Sequence, residues 1–172
     1  MILKAFKEKS NQKYINKLLS SRKAAVDSRK ILSLGVILNV NEFKDFEAFR
    51  TFLKELGIKS NKIKIIAFVE DEKDQGYHWE TYFGPKDFGW KGKINNVELQ
   101  TFIDTEFDAL ISFYKEDTIE LNSISAQSSA NFKIGLSNTD QRLYDLIIDV
   151  KPSDFSLFKS ELKKYLTVLN KL

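Results

Sequence analysis

The chain has no cysteine, one histidine, two prolines and no apolar run near the roughly 20 residues that a bilayer-spanning helix needs. Without cysteine there is no disulfide, no thiolate nucleophile, no iron–sulfur cluster and no thiolate zinc site. The same absence fits a reducing compartment, so a cytoplasmic protein is expected. With one imidazole, His78, a transition-metal site would rest on that ring plus carboxylates. A Ser-His-Asp triad would also need it, and no Gly-x-Ser-x-Gly elbow is present. A loop residue beside Trp79 is the plainer role for His78.

Glycine is scarce too. The turn after the first expected strand reads Asn39-Val40-Asn41-Glu42-Phe43 and holds none. Phosphate-cradling loops need glycine there, so no dinucleotide or P-loop role is expected. Asp87-Phe88-Gly89 spells a kinase magnesium motif, but no Gly-rich loop or catalytic loop accompanies it. The start, Met1-Ile2-Leu3-Lys4-Ala5-Phe6-Lys7, is broken by lysines and lacks the apolar core of a signal peptide. Catalytic residues, cofactor and metal ligands are all expected to be none, and the sequence leans toward a non-enzyme while leaving that question open.

What the chain does have is charge, unevenly placed. Residues 1–31 carry nine basic groups against Glu8 and Asp27, a net +7. The remainder carries 18 basic and 22 acidic groups, a net −4. A basic arm on a mildly acidic body calls for a reason. Two segments are therefore expected: a basic helical one over 1–30 and an α/β domain over 31–172.

Residues 2–26 contain no Gly or Pro and predict a helix. Its apolar residues do not share one face. Tyr14, Ile15, Leu18 and Leu19 lie together, while Ile2, Leu3 and Phe6 lie well round from them. Either the helix breaks near Ser10-Asn11, or two faces meet different partners.

Apolar runs at 31–38, 63–69, 107–113, 132–136 and 144–150 predict five strands. Between them, Phe43, Phe46, Phe49, Phe52, Leu53 and Leu56 recur at helical steps, with Gly57 as the cap. Short helices are expected at 96–104 and 119–128. A last helix follows Pro152, with Ser153 capping it and Asp154 suiting its dipole. Residues 74–95 mix glycines with Tyr77, Trp79, Tyr82, Phe83, Phe88 and Trp90, which predicts a structured loop with one short hairpin or edge strand. The alternation implies an open, mostly parallel, Rossmann-like sheet of about five strands, with helices on both faces.

In such a sheet a ligand crevice lies beyond the carboxyl ends of the strands. That rule points at Asn39-Val40-Asn41, Glu70-Asp71, Tyr114-Lys115-Glu116, Ser137-Asn138 and Asp149-Lys151. Their carboxylates could build a magnesium site, or could simply be the polar residues that strand ends present to water.

Two resemblances are carried by particular stretches. Asn138-Thr139-Asp140-Gln141-Arg142-Leu143-Tyr144-Asp145-Leu146-Ile147-Ile148-Asp149-Val150 and the closing Leu162-Lys163-Lys164-Tyr165-Leu166 resemble a conserved uncharacterised family of Bacteroidota, chiefly flavobacteria. The basic start and the Phe107–Ile111 strand fit it too. That resemblance implies a cytoplasmic protein of unknown function and brings no site residues. Phe107-Asp108-Ala109-Leu110-Ile111 with Ala130-Asn131-Phe132-Lys133-Ile134-Gly135 is similar to a strand–helix–strand in the N-terminal half of heptosyltransferase-like glycosyltransferases. This second likeness is one of fold. Those enzymes need a second Rossmann domain, so it implies no transferase activity.

The charge asymmetry is the main functional lead. Lys4, Lys7, Lys9, Lys13, Lys17, Arg22 and Lys23 are the candidates for docking a macromolecule, with RNA or a ribonucleoprotein first and a protein partner next. The same helix could lie on an anionic membrane, or be only a solvated face. Tyr77, His78, Trp79, Phe88 and Trp90 are a second candidate surface, since aromatics among lysines can stack on bases. They could equally be a lid packed over the sheet. A small enzyme or ligand-binding domain at the strand ends is the rival. Nothing in the sequence assigns an oligomeric state.

Overall fold

A computed structural model describes all residues except 25–26, 77–79 and 137–139. Six strands form one all-parallel sheet: β1 (Leu34–Asn39), β2 (Ile63–Phe68), β3 (Thr81–Phe83), β4 (Ala109–Phe113), β5 (Phe132–Gly135) and β6 (Leu146–Ile147), in the order β3-β2-β1-β4-β5-β6. Among the described residues five α-helices surround it: α1 (Ile2–Ser21), α2 (Phe46–Glu55), α3 (Val97–Asp104), α4 (Ile119–Gln127) and α5 (Phe155–Val168). The expected open parallel sheet is present, with one strand more than expected. The sixth is β3, the short edge strand that the aromatic segment was expected to hold, which pairs Ile66 with Thr81 and Phe68 with Phe83. The strand expected over 144–150 shortens to the two residues of β6.

β1 and β4 are buried along their whole length, which is why they are largely apolar. Their side chains alternate between two layers. Val36, Leu38, Ile111 and Phe113 face α2 and α5, while Ile37 and Leu110 face α3 and α4. Phe113 packs against Phe158 and Phe49 at ring separations of 4.7 and 5.1 Å. Each such fully buried side chain contributes about 1.5–3 kcal/mol of transfer free energy.

Side-chain caps start three of the helices. Asp45 accepts from Ala48 N, Asn96 from Leu99 N and Thr118 from Leu121 N. Gly57, at φ +93°, ends α2 in the left-handed conformation that glycine adopts without strain. The last helix departs from expectation. Asp154, not Ser153, is its N-cap residue, and it makes no side-chain cap hydrogen bond.

The two apolar faces of α1 belong to one unbroken helix. Asn11, Ile15 and Leu19 recur every four residues and form its buried face. Ile15 and Leu19 pack with Leu143 and Tyr144, while Ile2, Leu3 and Phe6 stay exposed.

Candidate functional site

Asn11 is 5% exposed and joins α1 to a tight turn far away in sequence. Its Nδ2 donates to the Gly89 carbonyl at 3.0 Å, and its Oδ1 accepts from the Gly92 amide at 2.9 Å. The turn runs Trp90-Lys91-Gly92-Lys93 and is closed by Lys93 N donating to Trp90 O at 3.0 Å. Lys91 and Gly92 have φ of +53° and +76°, the mirror-image turn that suits a hairpin. An antiparallel bridge between Phe88 and Ile94 flanks it. Gln127 of α4 holds the turn from below, donating to Gly92 O at 3.1 Å.

Gly92 is needed twice over. Its φ is positive, and a Cβ there would lie 2.1 Å from the ring of Tyr14. The turn and the helix are thus in van der Waals contact at this point. Farther along α1, Arg22 Nη2 donates to Asp145 Oδ2 at 2.7 Å and Nη1 to Arg142 O at 3.2 Å.

The lysines occupy what remains of the helix surface. Lys9, Lys13 and Lys17 are exposed at four-residue spacing, a row with steps of about 6 Å along the axis. Among the described residues none of the three has an ion-pair partner. Lys4 is exposed and lies 3.9 Å from Glu8. Lys7 is half-buried and lines a cavity of about 260 Å³ with Phe88 and Ile119. Lys23 is exposed just beyond the helix. Arg22 is committed to Asp145, so it serves as a tether of α1.

Of the aromatic candidates, Trp90 is 48% exposed, flanked by exposed Lys91 and Lys93. Phe88 corrects the expectation of a surface role. At 3% exposed it packs on Phe83, because it sits at the base of the hairpin, facing the core. Tyr77, His78 and Trp79 lie outside the described residues. Asn11 thus anchors the turn that carries Trp90 to the inner face of α1, the face opposite the row Lys9, Lys13 and Lys17. Asn11 carried no sequence signal, because its partners are backbone groups. Lys91-Gly92 did carry one, as a two-residue turn.

The strand ends present a different picture. The strand order reverses between β1 and β4, the position where such sheets hold ligands. Here the backbone amides of Lys115 and Glu116 donate to the Glu42 carboxylate at 2.9 and 3.1 Å. Asn39, fully buried, donates to Glu116 Oε2 at 2.9 Å and Glu42 Oε2 at 3.2 Å. The amides that would greet a phosphate are occupied by the chain's own carboxylate. Glu70 and Glu116 line a cleft of about 590 Å³ together with Glu120, Lys4 and Lys9 of α1. Burial holds the Glu120 carboxyl above its ordinary value, and Glu8 adds to that. Asp71 lies in a neighbouring cleft, and Asp149 pairs with Lys115. Among the described residues no three metal-binding side chains cluster. Ser137 and Asn138 are outside the described residues.

Under α1, Lys133 is buried at 4% exposure and donates to the Ser125 carbonyl, near the C-terminus of α4, at 2.8 Å. Burial, with help from the Arg22 charge, pushes its amine down to about 8. Burial also holds the Tyr114 phenol well above its ordinary value. Tyr114 OH meets Ser125 Oγ at 2.7 Å and accepts from Tyr144 at 3.2 Å. No described helix is long and apolar enough to cross a membrane.

The chain belongs to a family of unknown function, DUF6913, whose model matches residues 7–169. No curated protein and no solved structure matches it.

Proposed function

We propose that this member of a family of unknown function is a non-enzymatic docking protein that binds RNA or a ribonucleoprotein through the outer face of α1 and the adjoining turn. The observation that carries this reading is the row Lys9, Lys13, Lys17 on a helix whose opposite face is fixed to the body by Asn11, Ile15 and Leu19. A clamped helix presents its cations at fixed spacing along the backbone, so little backbone freedom is left to be lost on binding. Lysines that meet phosphates release counterions, which supplies sequence-independent affinity. The mildly acidic remainder of the chain leaves the basic face as the favoured contact. The span matched by the family model includes the lysine row, Asn11 and the turn.

Retention on immobilised total RNA at low salt is the test. Deleting residues 1–30 would uncover Leu143 and Tyr144, so charge reversal is the cleaner perturbation. Lys9→Glu/Lys13→Glu/Lys17→Glu, with an unchanged circular dichroism spectrum, is expected to abolish retention. Equal retention of both proteins would overturn the reading.

A second reading is favoured by one observation. Ile2, Leu3 and Phe6 are 74, 72 and 58% exposed at the tip of the same helix. An apolar tip beside a lysine row suits an anionic membrane surface. This reading predicts binding to anionic liposomes that is lost in Phe6→Glu.

A further inference from the structure

We infer that the RNA is single-stranded and that one of its bases stacks on Trp90. This rests on the docking reading above and names the form of nucleic acid that the same surface takes.

Three features of the turn point there. The first is the indole itself. Phe83 and Phe88 of the same segment are buried, while Trp90 stands half out of the molecule at the hairpin tip. The second is its company. Lys91 and Lys93 flank it, both exposed and neither ion-paired among the described residues. Asn11 and Tyr14 fix the turn against α1 one turn above Lys7 and one turn below Lys17.

The third is the conformation of Lys91. Its φ of +53° is the left-handed region, where glycine or asparagine sits with less strain than lysine. A lysine kept there sets a cationic residue next to Trp90 in the turn at some cost to the backbone, as strained residues at functional surfaces do. An exposed indole in a turn that carries two exposed lysines matches the stacking platforms that hold single strands. A duplex keeps its bases stacked on one another and offers this plane only phosphates and sugars.

The experiment uses the full chain with Trp79→Phe, which leaves Trp90 as the one tryptophan. Indole emission is followed while a single-stranded oligouridylate, a duplex RNA of equal length, or phosphatidylserine vesicles are added at low salt. The expected result is quenching by the single strand and tighter binding of it than of the duplex. Trp90→Ala, read by anisotropy of labelled RNA, is expected to lose roughly tenfold to a hundredfold on the single strand and little on the duplex. Lys91→Gly is expected to melt at a higher temperature yet bind the single strand more weakly, which separates use of the charge from damage to the fold. Equal binding of the two RNAs, or equal loss on both in Trp90→Ala, overturns the inference and leaves the lysine row as the docking element. Binding of neither RNA overturns both readings, and quenching by the vesicles alone does so in favour of a membrane partner.

Discussion

The Oδ1 atom of Asn11 accepts the Gly92 amide across 81 residues of sequence. With the partner bond from Nδ2 to Gly89 O, one side chain satisfies both a donor and an acceptor of the turn. Asn11→Ala leaves the buried Gly92 amide without its partner. Loss of about 1–3 kcal/mol is expected, read as a lower urea midpoint with an unchanged slope.

Gly92 and Tyr14 should be coupled. Gly92→Ala forces a positive φ on alanine and drives its Cβ into the Tyr14 ring. Tyr14→Ala removes the ring but not the φ. In a double-mutant cycle the double variant is expected to be more stable than the sum of the single losses, by roughly 0.5–3 kcal/mol. Strict additivity would place the ring elsewhere.

Two cations of the N-terminal segment, Lys13 on α1 and Arg22 at its C-cap, should separate cleanly. Arg22→Gln leaves Asp145, whose side chain is 7% exposed, without its guanidinium. A stability loss of about 3–5 kcal/mol is expected, at the level of a broken buried pair. Lys13→Gln should change stability by no more than about 0.5 kcal/mol, since it lies on open surface. RNA retention should fall in Lys13→Gln and persist in folded Arg22→Gln.

Lys133 should make stability depend on pH in the alkaline range. Its folded amine titrates near 8, against 10.5 for an ordinary lysine. Between those values the unfolded chain binds the extra proton, so stability rises with pH across the window and the gain is lost as pH falls toward 8. The full span is of order 3 kcal/mol. Urea midpoints at pH 8, 9 and 10 for wild type and Lys133→Met measure it. The wild-type curve should climb relative to the variant, and parallel curves would show that the amine is not held down.

The central strands were legible because they are buried on both faces, as the largely apolar Leu34–Leu38 and Ala109–Phe113 show. β3 was legible only as a short hairpin or edge strand somewhere in 74–95, because a three-residue strand among glycines carries no periodic signal that fixes its bounds. In α1 the sequence showed two faces without saying what each meets. The inner face proves to be covered by Leu143 and Tyr144, which come from the far end of the chain. The lysines of the candidate surface could be counted in advance. The attachment of the Trp90 turn to α1 could not, since it depends on Asn11 reaching main-chain atoms, and main-chain atoms leave no residue-specific trace.

The most direct measurement is the salt dependence of RNA affinity. Dissociation constants for a single-stranded RNA are taken from 50 to 200 mM salt, for wild type and for Lys9→Gln/Lys13→Gln/Lys17→Gln. If the three lysines each meet a phosphate, the log–log slope should shrink by about 2 in the triple variant. A slope unchanged by the three substitutions would contradict docking through this row.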